Sequence, residues 1–346
     1  MRQELCARID QAFSHLMLIG LACVLEQQGV NGVRIYWTNS MDPRPVIEAR
    51  CEWMEACEHL REYAARMAAP SGWIWQDVTV AGKRKALFSP RLGNPDSAEW
   101  VDLHSRRHTA AARLAAAYPV DWLSLRLIGA LGAPAYWGPE RTGKVEVDQG
   151  ASRWEMKTRN AGEEFVGQRF SPLTSAVASR GCQEISDGLL GRVVLDERGK
   201  PTAPDSRLAT GLRPPGPVDA VQAWCGLVGV SSFPVLHHVH RLTSTAGYEG
   251  AYSGGIFHIP VPGRSMSPPK VRAVISSDVP VRFLSSQAAA DRAAAADSLA
   301  NWGVVAVAKF PMSVSSNPSA PERWASVGEI VPVGGVGELG GTAVPV

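Results

Sequence analysis

Apolar residues near the start of the chain recur at helical spacing. Ile9, Phe13, Leu16, Met17, Gly20 and Val24 share one face, and from Leu16 to Leu25 almost every face is apolar. The pattern predicts a buried helix over 9–28, ended by Gly29 as a left-handed C′ residue. The period then drops to two. Residues 33–38 (Val-Arg-Ile-Tyr-Trp-Thr) read as a strand, and 39–45, with two prolines, as a loop. Trp53, Met54, Cys57, Leu60, Ala64 and Met67 form one stripe of a helix over 51–69, stopped by Pro70-Ser71-Gly72. Alternation returns over 73–80, and Ala81-Gly82 turns the chain into 83–88. This gives a β-hairpin whose second strand opens with Lys83-Arg84-Lys85. A helix over 97–118 starts at a capping Ser97 and carries Trp100, Leu103, Ala111 and Leu114 at helical spacing; an acid-capped helix over 121–131 follows it.

From 138 to 216 the texture changes: glycine, proline and both charge signs rise and the apolar runs shorten, with one helix expected over 171–180. Residues 218–230 read as an apolar helix in which Gly226 and Gly229 permit close packing. Residues 231–269 read as loops with short strands. Strands are expected over 271–276 and 281–284, an Ala-rich helix over 287–301, a buried strand over 304–310 and a flexible tail after 330. The fold class is therefore α+β: a mainly helical N-terminal half with short strands (1–137), a polar Gly/Pro-rich junction (138–217), a looser mixed α+β C-terminal half (218–330) and a flexible tail (331–346).

Composition narrows the function. The chain has 346 residues, is 45% hydrophobic and 20% charged, and carries a net charge of only +2, so global disorder and a uniformly cationic coat are both excluded. The longest clean apolar run, 16–25, is half of what a membrane span needs, and the N-terminus lacks a secretory pattern. The six cysteines are dispersed in apolar surroundings, as reduced thiols buried as small hydrophobes would be. These features predict a soluble, cytoplasmic protein with no membrane partner. Among the basic residues, twenty-eight are Arg and seven Lys; Arg suits phosphate and base stacking, and it is also what a GC-rich genome writes.

The motifs point away from catalysis. His237-His238-Val239-His240 invites a metal-dependent hydrolase, but no His-Glu-x-x-His accompanies it to complete a zinc site, and structural or surface histidines are the better reading. His104 and His108 lie one turn apart on the expected helix, where Arg106 and Arg107 would repel a metal. Cys51, Cys57 and His59 lack a Cys-x-x-Cys pair, and no phosphate-binding loop, dinucleotide fingerprint or nucleophile elbow occurs. The adjacent Asp196 and Glu197 point apart if the segment is extended. No catalytic residue, metal site or cofactor is assigned.

What remains is basic residues interleaved with aromatics and amides. Lys83, Arg84 and Lys85, close to Trp73 and Trp75 in the hairpin, can grip a phosphate backbone beside stacking rings. Arg106 and Arg107 offer a basic helix face. Arg153, Lys157, Arg159 and Asn160 beside Trp154 form a further stretch, preceded by Arg141 and Lys144, and Ser313, Ser315, Ser316 and Asn317 form a polar loop suited to phosphates. Convergence of these cations into one track is the condition on which nucleic-acid binding rests.

The opening helix His15-Leu16-Met17-Leu18-Ile19-Gly20-Leu21-Ala22, followed by the 33–38 strand, and Trp224-Cys225-Gly226-Leu227 leading into Val230-Ser231-Ser232-Phe233-Pro234-Val235, carry a resemblance to a family. The chain resembles the CRISPR-associated large-subunit-type proteins of type I-G (formerly I-U) surveillance complexes. The resemblance implies a noncatalytic subunit beside guide RNA and other complex subunits. Such a subunit helps recognise target DNA and holds the displaced strand, while a helicase-nuclease partner cuts. No recognition residue is carried over from the family. The alternatives are a metal-dependent hydrolase using the His237–His240 cluster and a scaffold that touches only protein.

Overall fold

The structure is a computed structural model that describes residues 1–89, 96–132, 137–139, 145–147, 154, 165–197, 211–214, 216–237, 243–250, 255–314, 316 and 323–334. The described residues form an α+β fold. Its first part runs β1 (Arg2–Glu4), α1 (Ala12–Gln27), β2 (Arg34–Trp37), β3 (Pro45–Glu48), α2 (Trp53–Ala68), a 3₁₀ turn (Trp73–Trp75), β4 (Asp77–Val80), β5 (Lys83–Ala86), α3 (Ser97–Ala116) and α4 (Trp122–Leu131). The middle holds β6 (Trp137–Pro139), β7 (Val145–Val147), a π-helical turn (Phe165–Phe170), α5 (Ser171–Ser179), α6 (Cys182–Leu189) and α7 (Ala220–Gly229). The last part comprises β8 (Val235–His237), β9 (Thr243–Thr245), β10 (Tyr248–Glu249), β11 (Ile256–Pro262), α8 (Pro268–Ser276), α9 (Val279–Ser285), α10 (Ala289–Trp302), β12 (Val304–Val314), β13 (Arg323–Ala325) and β14 (Glu329–Pro332).

Helix α1 is the axis. Every residue from Ala12 to Leu25 is buried, as its all-round apolar surface demands. It packs against α7, and glycines set the distance. A Cβ on Gly20 would stand 1.8 Å from the Cys225 carbonyl oxygen, and one on Gly229 2.1 Å from that of Leu16. Only hydrogen fits at either place, so the two backbones touch. Around this pair lie α2, α5 and α6 on the helical side. Two antiparallel sheets complete the shell, one ordered β1-β3-β2 and the other β10-β11-β12-β13, with β14 also on β12. A paired bridge between Ile35 and Met266 ties β2 of the first sheet to the segment between β11 and α8 (2.9 and 3.0 Å). One buried apolar cluster runs from Leu5 to Val333 and takes in both halves of the chain.

Several expectations are corrected. Residues 271–276 and 281–284 are helical, in α8 and α9, not extended. Val271, Val274 and Ile275 bury one helical face, and Pro268 and Pro280 occupy first-turn positions, where a missing N–H costs nothing. Trp73–Trp75 forms a 3₁₀ turn, so the strand of the hairpin begins only at Asp77. The tail is not loose from 331, because β14 pairs with β12 as far as Pro332; residues 335–346 lie outside the described residues. Cys6 is exposed, not buried. No helix among the described residues is long and apolar enough to cross a membrane.

Candidate nucleic-acid interface

The hairpin exists as the sequence indicates, with Val80 opposite Lys83, Thr79 opposite Arg84 and Val78 opposite Lys85. Alternation then divides the basic tripeptide. Val78 and Val80 are buried, and Lys83 and Lys85 share their face, while Arg84 projects from the other side with Thr79. Arg84 Nε–H donates to Asp77 Oδ2 at 2.6 Å, yet its side chain stays 80% exposed. Lys83-Arg84-Lys85 is therefore not a single grip.

Helix α3 is seated on this hairpin from both ends. Asp96 and Glu99 form a capping box at its start, and the Glu99 carboxylate also accepts the Ala81 N–H at the hairpin turn (3.0 and 3.2 Å). About two turns further on, Arg107 reaches back under the chain that leaves β5. Its Nε–H donates to the Leu87 carbonyl at 2.7 Å and a terminal N–H to that of Ser89 at 2.8 Å, with the guanidinium over the Phe88 ring. Burial pulls the Arg107 pKa down to about 10, which leaves it charged at neutral pH. Arg107 is thus corrected from a phosphate contact to a brace: it is 7% exposed and faces inward with Leu103 and Ala110. Arg106, one residue earlier, points outward and lies 3.7 Å from Asp102 across one exposed turn.

The consequence of this docking is an open groove of about 600 Å³ between the hairpin, the residues at either end of the 3₁₀ turn and the outer face of α3. Arg84 enters it from the strand, and Arg106 and Arg113 enter from α3, seven residues apart and so on one stripe. Trp75 forms part of its wall. The indole N–H donates to the Ala68 carbonyl at 3.0 Å, which fixes the ring while 41% of the residue remains exposed. Among the described lining residues Asp77 is the sole acid, so three guanidiniums face one carboxylate. Trp73, expected beside Trp75, is instead buried, donating to Ser124 Oγ at 2.9 Å and packing against Phe88 and Phe170.

The structure thus joins Arg84 and Arg106, drawn from two separate stretches, and adds Arg113, which sequence reasoning missed although it repeats the Arg106 stripe. Ser316 is exposed, and the Ser313 hydroxyl is engaged with that of Ser326. Arg141, Lys144, Arg153, Lys157, Arg159, Asn160, Ser315 and Asn317 lie outside the described residues, as do His238, His240 and the side chain of His237. Among the described residues no group of three His, Cys, Asp or Glu side chains is placed to hold a metal ion. His104 packs edge-on against Trp100, with ring centroids 4.4 Å apart. No known family model, curated protein or solved structure matches the chain.

Proposed function

We propose that this protein is a noncatalytic nucleic-acid-binding subunit, and that the groove between the β4–β5 hairpin and α3 carries its phosphate contacts. The observation behind the reading is the meeting of Arg84, Arg106 and Arg113 beside an exposed Trp75, with Asp77 the one acid among the described lining residues. Exposed guanidiniums release counterions from a polynucleotide and hydrogen-bond its phosphates, while an indole face accepts any base by stacking. The resemblance of the opening helix and of the Trp224–Val235 stretch supports a place in a CRISPR RNA-guided antiviral surveillance complex of the cytoplasm. Guide RNA, target DNA, the other complex subunits and a helicase-nuclease are then its partners.

The test is a titration of fluorescein-labelled single-stranded and duplex DNA with the wild type and the Arg84→Ala/Arg106→Ala/Arg113→Ala variant. The variant is expected to lose at least about tenfold in affinity while melting normally, since its ion pairs are exposed. Unchanged affinity would remove the groove from the account.

A further inference from the structure

A second and larger cleft, of about 1040 Å³, opens beside the first between the C-terminal turns of α1 and α2 and the loop joining α3 to α4. Two aromatic side chains stand on it in water: Tyr118 is fully exposed and Trp122 is 58% exposed. Trp73, Trp154, Trp224 and Phe310, by contrast, are buried. Leaving two aromatic residues of one cleft exposed forgoes apolar burial.

The ledge that holds them is firmly tied. Gln27 Nε2–H donates to the Val120 carbonyl at 2.9 Å and Gln27 Oε1 accepts the Leu123 N–H at 3.0 Å. Asp121 caps α4 by accepting the Ser124 N–H at 3.0 Å and takes the Tyr63 hydroxyl at 3.0 Å. The rings are therefore presented by a pre-organised segment, which lowers the entropic cost of stacking on them.

Charge separates the two clefts. The smaller one sets three arginines against one aspartate. In the larger one Glu26 is shared between Arg126 (3.5 Å) and Arg272 (2.8 Å), and Glu62 lies 3.8 Å from His59 Nδ1 beside Arg66. A near-balanced wall has no net attraction for phosphate, whereas a carboxylate accepts hydrogen bonds from the amino and ring N–H groups of a base. Ser71 lines both clefts, so they adjoin.

We infer that the larger cleft seats an unstacked nucleobase of a single strand whose phosphates lie on Arg84, Arg106 and Arg113. Tyr118 and Trp122 are its stacking surfaces and Glu62 its hydrogen-bond acceptor. This rests on the nucleic-acid reading of the arginine groove.

The experiment uses the full chain and two fluorescein-labelled probes of equal length and charge: a mixed-sequence DNA single strand and an abasic deoxyribose-phosphate strand. Anisotropy titrations compare the wild type with Tyr118→Ala, Trp122→Ala, Trp122→Phe and the triple arginine variant. Loss of Trp122 or Tyr118 is expected to weaken the base-bearing strand by about tenfold and leave the abasic strand unchanged, with Trp122→Phe recovering part of the loss. The arginine variant is expected to weaken both probes. Unchanged base-bearing affinity in Tyr118→Ala and Trp122→Ala, with the arginine variant still impaired, would overturn the base site alone. Salt-insensitive or absent binding of both probes by the wild type would overturn the groove reading and the base site with it.

Discussion

At the start of α7, Arg180 is almost wholly enclosed, its side chain 4% exposed and that of Asp219 1%. One terminal nitrogen donates to both Asp219 oxygens (2.9 and 3.1 Å), Nε–H to Glu197 at 2.7 Å and the other terminal nitrogen to the Leu195 carbonyl at 2.7 Å. Asp219 in turn accepts the Val221 and Leu195 N–H groups, capping α7 and pinning the irregular segment around Leu195 to its start. Along α3 the same residue type is used in the opposite way. Arg106 has one distant exposed partner, and Arg113 has no hydrogen bond or ion pair among the described residues. A guanidinium whose donors are all engaged inside holds the chain together, and one whose donors face water has binding capacity left over. Counting arginines along a sequence merges two populations that the fold separates.

The sharpest way to break that comparison is thermodynamic. Arg180→Ala leaves the Asp219 carboxylate buried without its counter-ion, and urea midpoints are expected to report a loss of about 3–5 kcal/mol. The triple groove variant is expected to lose no more than about 1 kcal/mol. Equal losses at the two places would erase the distinction.

His15 extends the buried side of the comparison. It lies on α1 between Trp37 and Phe310, its Nε2–H donating to the Ile9 carbonyl at 2.7 Å. Burial lowers its pKa from 6.5 to about 4, partly opposed by that hydrogen bond and by Asp10. Above pH 6.5 both folded and unfolded chains hold a neutral ring; as the pH falls toward about 4 only the unfolded chain takes up the proton, so stability declines across that window. Urea unfolding at pH 7 and pH 4 is expected to differ by about 3 kcal/mol more in the wild type than in His15→Gln. Identical pH dependence in the two would contradict the buried neutral imidazole.

Arg107 is the smaller structural effect. Arg107→Lys keeps the charge but removes the fork that reaches the Leu87 and Ser89 carbonyls, and about 1–3 kcal/mol of stability is expected to go with it. A variant as stable as the wild type would show that the brace contributes nothing. Smallest of all, Lys83→Ala/Lys85→Ala is expected to change DNA affinity by less than about threefold, because both side chains leave the hairpin on the face away from Arg84. A loss matching that of the triple arginine variant would restore the tripeptide as one grip.

Much of this was legible in the sequence. The all-apolar stretch of α1, the hairpin with its Ala81-Gly82 turn and the long α3 follow from periodicity and turn chemistry. The division between Arg106 and Arg107 was also within reach: Leu103, Arg107 and Ala110 lie on one stripe, the only three buried positions of α3. Short apolar runs misled, since stretches as short as 271–276 and 281–284 fit either period, and the first-turn prolines were the missed signal. The meeting of Arg84 with Arg106 was not legible. It depends on Glu99 and Arg107 docking α3 onto the hairpin through backbone groups, which carry no side-chain signature.

The most direct measurement is the salt dependence of single-stranded DNA binding by the wild type and by the triple arginine variant. If Arg84, Arg106 and Arg113 neutralise phosphates, each contributes about 0.7 to the slope of log affinity against log salt. The variant should therefore fall about two units shallower than the wild type. Parallel lines for the two proteins would contradict the account.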